Sequence, residues 1–123
     1  MLTQLLIVLG VGVVAYYALC AWLVFGRGGF GFTYNRVIAW GLGKLGVSGG
    51  MTLGSTCYVA DRSLLTPEFT AADTPFYRHE VTHFHQWRRR PFTFLPEYLW
   101  KLITKGYEHN YFEDDAERAE KPA

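Results

Sequence analysis

Charge is absent from the first part of this sequence, because no Asp, Glu, Lys or Arg occurs between Met1 and Gly26. All 12 basic and 11 acidic side chains follow that stretch, and the formal net charge of the chain is only +1. Nucleic-acid binding depends on a surplus of basic side chains that neutralise phosphates. The near-neutral balance argues against an electrostatic nucleic-acid binder, and we expect no nucleic-acid partner.

Cysteine is scarce as well, with only Cys20 and Cys57 in the chain. The first lies in an apolar run and the second in a predicted strand, so we expect no disulfide between them. Structural zinc sites have four protein ligands and often several cysteines, which this sequence does not supply. It also has no internal repeats and no low-complexity tract, which excludes a repeat protein.

The uncharged N-terminal stretch predicts a membrane anchor. Its apolar core, Leu5–Phe25, contains about 21 residues, enough to cross a hydrocarbon layer of about 30 Å. A cleaved signal peptide is the alternative, but no Lys or Arg precedes the run, which is longer than a signal core of about 7–15 residues. We therefore expect residues 1–26 to be a retained, single-pass transmembrane anchor that takes no part in a soluble core. Arg27, Arg36 and Lys44 follow it, which predicts that the remaining chain lies in the cytoplasm.

Residues 27–48 begin with a glycine-rich stretch and predict an interfacial or linker segment. A short helix is expected at 34–46, either in the membrane interface or as an ordinary amphipathic core helix. Residues 49–60 are rich in β-branched and aromatic side chains and predict one or two short strands. An edge strand at this place is suited to pairing with an extended peptide substrate.

The clearest chemical signal is His79-Glu80-Val81-Thr82-His83, which lies in a predicted helix over residues 74–90. Asp73 or Thr74 is a suitable N-cap, and the prolines at 75 and 91 mark the first helical position and the far end. Histidines at i and i+4 share one helix face and reach one metal ion, with a carboxylate beside it. This pattern is typical of a zinc hydrolase in which the glutamate accepts a proton.

Two further helices are expected beyond this segment. The first opens near Leu95-Pro96 and ends at Gly106, with an apolar stripe made of Tyr98, Leu99, Leu102 and Ile103. Its aromatic character suits packing on the metal-site helix or contact with lipid. The second begins near Asn110.

The whole pattern resembles the gluzincin metallopeptidases, and most of all small bacterial and phage domains of that group. The resemblance rests on H-E-x-x-H-x-x-Q at residues 79–86 and on N-x-x-E-x-x-A-E at residues 110–117, and it covers roughly residues 50–118. It implies an α+β fold in which the transmembrane helix precedes a minimal zincin-like domain, residues 49–123, of short strands and about three helices. It also implies peptide-bond hydrolysis.

The resemblance implies that His79, His83 and Glu113 bind Zn²⁺ and that Glu80 is the catalytic base. The residues alone leave the third ligand open, since Asn110 and Glu113 also form the pattern of a helix capping box. The other acidic candidates for this ligand are Glu108, Asp114, Asp115 and Glu117.

Other positions carry expected supporting roles. Glu117 stands where related proteins have an aspartate that steadies a ligand histidine, and Gln86 is expected in the core or in the cleft. Tyr107 and His109 are candidate catalytic donors to the developing oxyanion, because they lie close to Glu113 in sequence. His85 points away from the ligand face and is expected to be a hydrogen-bonded surface histidine or a partner of a metal ligand.

The sequence therefore predicts a membrane-anchored zinc peptidase that acts on a peptide or protein substrate next to a lipid bilayer. The alternative is a zinc-stabilised membrane or assembly component without turnover, which the small size of the domain favours. The oligomeric state is not predicted.

Overall fold

The computed structural model describes residues 1–26, 28–106 and 110–121. These ranges form a mixed α+β structure, as predicted, with six helices, a three-stranded sheet and one 3-10 turn at Arg62–Leu64. The helices are α1 (Leu2–Phe25), α2 (Arg36–Lys44), α3 (Pro67–Thr70), α4 (Pro75–Arg89), α5 (Phe94–Lys105) and α6 (Tyr111–Ala119), and the strands are β1 (Gly31–Thr33), β2 (Gly50–Leu53) and β3 (Thr56–Val59).

The sheet has the order β1-β3-β2. Strands β2 and β3 form an antiparallel hairpin around Gly54 and Ser55, which confirms the strands expected at 49–60. Strand β1 pairs with β3 in parallel, and its three residues lie in the segment expected to be an interfacial or linker region. Residues 27–48 therefore contribute a strand and a helix to the fold.

The C-terminal end of α1 is part of the hydrophobic core that it forms with the helices that follow it. Cys20 and Val24 are buried and cluster with Trp87, Phe94 and Phe112. The prediction that residues 1–26 take no part in a core is therefore wrong for this part of the helix. A continuous apolar run suits burial against protein as well as burial in lipid, so composition alone does not separate the two.

The β2–β3 turn holds the end of α1 in place. The backbone N–H and the hydroxyl of Ser55 both donate to the carbonyl oxygen of Leu23, at 2.8 and 2.9 Å. This carbonyl is one of the last four of the helix, which lack a partner inside it. Gly54 has φ +66°, and a Cβ atom there would lie 2.3 Å from the same oxygen. Only glycine permits this close approach without displacement.

The beginning of α1 is free of the domain. Residues 2–15 are exposed along their whole length, and the helix is long and apolar enough to cross a membrane. Contact with the domain begins at Tyr16, whose hydroxyl donates to the carbonyl of Phe92 at 2.8 Å. The ring of Tyr17 lies 4.8 Å from that of Phe92.

Helix α2 buries the apolar side chains of one face and exposes those of another. Asn35 caps its start by accepting from two backbone N–H groups, and Ala39 and Leu42 are buried. Val37 and Trp40 remain exposed. Helix α2 is therefore an amphipathic helix packed on the sheet, and a position in the membrane interface stays a prediction.

Candidate metal centre

Helix α4 places the two histidines of the motif side by side. Its cap is Thr74, whose hydroxyl accepts from the backbone N–H of Tyr77, and Pro75 occupies the first helical position as predicted. The imidazole rings of His79 and His83 are 5.1 Å apart, as expected for residues one turn apart.

Helix α6 contributes the third side chain of the site, Glu113. Asn110 caps this helix by accepting from the N–H of Phe112 at 3.1 Å, which leaves Glu113 in the first turn. The Glu113 carboxylate points at both histidines, with Oε2 3.2 Å from His79 Nε2 and Oε1 3.1 Å from His83 Nε2. These three residues form a group that can hold a metal ion.

Hydrogen bonds on the far side of each imidazole fix the protonation of the rings. Nδ1 of His79 lies 2.9 Å from a carboxylate oxygen of Glu120, and Nδ1 of His83 lies 2.8 Å from the amide oxygen of Gln86. The amide of Gln86 is itself oriented, because its nitrogen donates to the carbonyl of Phe112. Both acceptors require a proton on Nδ1, so the Nε2 lone pairs of the neutral rings point at Glu113.

The Glu113 carboxylate is buried and held in a fixed orientation. Tyr98 donates its hydroxyl to Oε1 at 2.6 Å. Oε2 is buried, and His79 Nε2, 3.2 Å away, can donate to it only when that nitrogen carries a proton. A buried carboxylate oxygen that faces an imidazole lone pair is unfavourable unless a proton or a metal cation lies between them.

The charges around the group are strongly coupled. Burial alone would lower the pKa of His79, but the hydrogen bond with Glu113 and the nearby carboxylates raise it to about 9. Burial alone would raise the pKa of Glu113, but its hydrogen bonds with His79 and His83 bring it well below its ordinary value. Without a metal, the raised pKa of His79 keeps a second proton on that ring at neutral pH, so a metal ion would bind by displacing it.

Glu80 lies on the side of α4 that faces the sheet. Its side chain is only 4% exposed, and Oε2 accepts from the Thr52 hydroxyl of β2 at 2.7 Å. Burial raises the pKa of Glu80, while His83, Thr52 and His79 oppose that rise. The carboxylate is therefore within electrostatic reach of the histidines, but it is covered by β2.

Strand β2 is an edge of the described sheet, as the expected peptide-pairing strand would be. The N–H of Ala60 donates to the carbonyl of Gly49, so the backbone groups of Thr52 face outwards by the alternation of antiparallel pairs. The indole N–H of Trp87 donates to the Thr52 carbonyl at 3.1 Å. Part of this edge is therefore already bonded to α4.

The cavity beside the metal group opens next to His79. Its volume is about 570 Å³. Its described lining consists of His79, Asp114, Glu117, Arg118, Glu120 and Lys121.

The structure changes one expected supporting contact. Glu117 is exposed, and the carboxylate that reaches His79 belongs to Glu120. Glu120 lies two turns beyond Glu113 on the same side of α6, and that spacing was the available sequence signal. Arg78 reinforces the contact by donating to the carbonyl of Glu120 at 2.7 Å.

The remaining predicted residues divide into two groups. Gln86 is buried beside His83, and His85 is exposed on the outer face of α4. Tyr107, Glu108 and His109 lie outside the described residues. Tyr98 and Thr52 were not predicted as site residues, because a tyrosine in an apolar stripe and a threonine in a strand have no distinctive spacing.

No protein family, curated protein or solved structure matches this chain.

Proposed function

We propose that this protein is a membrane-anchored zinc-dependent peptidase. The observation that carries the proposal is the convergence of one carboxylate and two Nε2 atoms, contributed by His79, His83 and Glu113. One ligand atom from each of the three residues lies within 4.8 Å of the other two, which is close enough for all three to reach one ion. Three protein ligands are also the number found in catalytic zinc sites.

The chain's own residues supply the remaining parts of a hydrolytic site. Zinc, when bound, acidifies water and polarises a carbonyl group. Glu80 accepts the proton of the attacking water and returns it to the departing amine. Its buried position and raised pKa suit a base that is intermittently protonated. Thr52 orients its carboxylate, while Gln86, Glu120 and Tyr98 orient the ligands.

The peptide substrate is supported by the resemblance of residues 79–86 and 110–117 to gluzincin motifs. The position of β2 beside α4 adds to this support, because an extended chain binds most readily at a sheet edge. The bond between Trp87 and Thr52 limits such pairing to part of β2.

The test is cleavage of a casein or peptide library by the full chain in detergent micelles or nanodiscs, with zinc content measured in parallel. Glu80→Gln should retain zinc and lose cleavage, whereas His83→Ala should lose both. Glu68→Gln is the matched control, because this carboxylate is exposed on α3 and is not part of the described lining of the cavity beside His79. Equal cleavage by wild type and Glu80→Gln would exclude the proposed role of Glu80.

A zinc-stabilised domain without turnover is the second candidate. The observation in its favour is that Glu80 is nearly inaccessible and bonded to Thr52. A metal ion at this site would also tie α6 to α4. Stoichiometric zinc, a large loss of stability in chelator and no cleavage of any library by wild type would favour this candidate.

We further propose that α1 is the membrane anchor. Its length, its exposed first half and the absence of charge before residue 27 support this.

A further inference from the structure

The free part of α1 is too short to cross a bilayer alone. Residues 2–15 carry no contact that buries them, and at 1.5 Å per residue they span about 21 Å. The hydrocarbon layer of a typical bilayer is about 30 Å thick. If α1 crosses the membrane upright, about six more residues must lie in hydrocarbon, which places residues 16–21 there as well.

Residues 16–21 include the side chains that pack against the rest of the fold, which carries the candidate metal centre and is called the metal domain below. Tyr16 and Tyr17 contact Phe92, and Cys20 lies in the same core cluster as Phe94. Phe92, just before α5, therefore lies at the same depth in the membrane as residues 16–21 of α1. One side of the domain must enter the bilayer with the helix.

Helix α5 has the surface that such immersion requires. Its outer stripe consists of Pro96, Leu99, Trp100 and Ile103, which recur at i, i+3, i+4 and i+7 and therefore share one face. All four are exposed, Trp100 at 68% and Ile103 at 78%. Leu95, next to the beginning of this stripe, packs on the core cluster that includes Cys20, so the stripe continues from the contact with α1.

Glu97 and Lys101, two of the three charged side chains of α5, contact residues outside the outer stripe. Lys101 lies over the ring of Tyr111 at 3.5 Å, and Glu97 pairs with Arg90 at 2.6 Å. An exposed aromatic and aliphatic stripe whose neighbouring charges bond elsewhere is typical of a surface that enters the apolar edge of a bilayer.

We propose that the outer stripe of α5 is embedded in the lipid bilayer beside α1. This inference rests on the proposed membrane anchor and adds a second contact with lipid. Tyr98, on the inner side of α5, donates to Glu113. The metal centre therefore lies about one helix diameter, about 10 Å, from lipid. A centre at that distance favours peptide substrates that lie at the membrane surface.

The experiment places a nitroxide label at single introduced cysteines of the full chain in nanodiscs. Ile103→Cys tests the outer stripe, Leu9→Cys tests the anchor, and Glu68→Cys on α3 is the aqueous control. All three positions are exposed, so the label should not disturb folding, whereas native Cys20 and Cys57 are buried and should not be labelled. Collision of each label with oxygen and with a water-soluble nickel chelate is then compared.

We expect oxygen to collide preferentially with the labels at positions 9 and 103, and the nickel chelate with the label at position 68. A lipid-exposed position 9 with a water-exposed position 103 would overturn the inference and leave the anchor in place. Water exposure at both would overturn the anchor proposal and this inference together. Low access of both reagents to position 103 would indicate a protein contact, such as a second copy of the chain, and would also overturn it.

Discussion

At the scale of single residues, the carboxylate of Glu113 joins the two histidines of α4 to Tyr98 of α5. It is buried, it accepts from Tyr98, and it faces two imidazole nitrogens that each lie within 3.2 Å. Such an arrangement is expensive as a purely structural feature, because replacing buried ionic groups with apolar ones is often neutral or stabilising. A cation bound between these side chains, as proposed, would offset this cost.

Substitutions of Glu113 and Glu117 in α6 and of Glu120, which follows it, should distinguish a metal ligand from supporting residues. Glu113→Gln should reduce zinc affinity by much more than 100-fold, because it removes a ligand. Glu120→Ala should reduce it about 10–100-fold, because it removes the carboxylate that orients His79. Glu117→Ala is the matched control and should change nothing, since its side chain is exposed.

Competition with a chromogenic zinc chelator would measure all three affinities. Wild-type affinity in Glu113→Gln would exclude this residue as a ligand. An equal loss in Glu117→Ala and Glu120→Ala would contradict the assignment of Glu120.

The coupled charges predict a pH dependence of the metal-free protein. The pKa of His79 is raised from 6.5 to about 9, so its contribution to stability is complete below pH 6.5 and is lost as the pH rises through 9. The pKa of Glu113 is lowered from 4.5, so its contribution is complete above pH 4.5 and is lost in more acidic solution. We expect metal-free stability to be greatest between about pH 4.5 and 6.5.

With zinc bound, stability should rise between pH 6.5 and 9 and not fall. The reason is that zinc binding displaces histidine protons and is favoured as the pH rises towards 9. Unfolding midpoints in chelator and in zinc, measured from pH 4.5 to 9, provide the comparison. Constant metal-free stability between pH 6.5 and 9 would contradict the proposed coupling.

At the scale of elements, the docking of α1 on the β2–β3 turn depends on Gly54. Gly54→Ala should destabilise the fold in two ways, through left-handed strain of about 1–2 kcal/mol and through a steric clash with the Leu23 carbonyl costing about 1–3 kcal/mol. Gly46→Ala is the matched control, because φ there is +75° but no atom lies within 4 Å of an added Cβ. Its cost should be the strain alone.

Urea unfolding in detergent micelles would measure both glycine variants. Equal loss of stability in the two would show that α1 does not depend on close contact with the turn.

Local chemistry explains which elements the sequence predicts well. Thr74 with Pro75 defines the start of α4, and Asn110 defines the start of α6, because caps and prolines act over one or two residues. Strand β1 has only three residues, too few to show alternation, and its pairing with β3 is a long-range contact. The same limit applies to the contact between Tyr98 and Glu113, which lie 15 residues apart on two different helices.

Spacing predicts a site better when its residues share one helix. His79 and His83 are related by helical geometry alone, and the structure brings them together as expected. The choice between Glu117 and Glu120 depends on the angle at which α6 crosses α4, because both lie near the face of Glu113. That angle follows from packing and is not encoded in any local pattern.

At the scale of the whole molecule, α1 is part of the metal domain and also its proposed anchor. Val24 and Cys20 are buried beside Trp87, which in turn lies on the helix that carries both histidines. The end of α1 therefore packs directly on α4. The domain and the anchor should unfold together, which distinguishes this arrangement from a domain on a flexible tether.

The last prediction concerns the orientation of the whole chain in the membrane. Residues 1–26 contain no Lys or Arg, whereas Arg27, Arg36 and Lys44 follow within about 20 residues of the helix end, the range in which basic side chains set topology. The metal domain should therefore face the cytoplasm. In bacteria, alkaline phosphatase fused after Ala123 should be inactive and a green fluorescent protein fused there should be fluorescent.

Replacing all three basic residues with Gln should produce mixed orientations, because the charge bias is then removed. Replacing Lys101, Lys105 and Lys121 with Gln is the control and should leave the orientation unchanged, since these positions lie far along the chain from the end of α1. Active phosphatase in the wild-type fusion would place the domain on the opposite side and contradict the prediction.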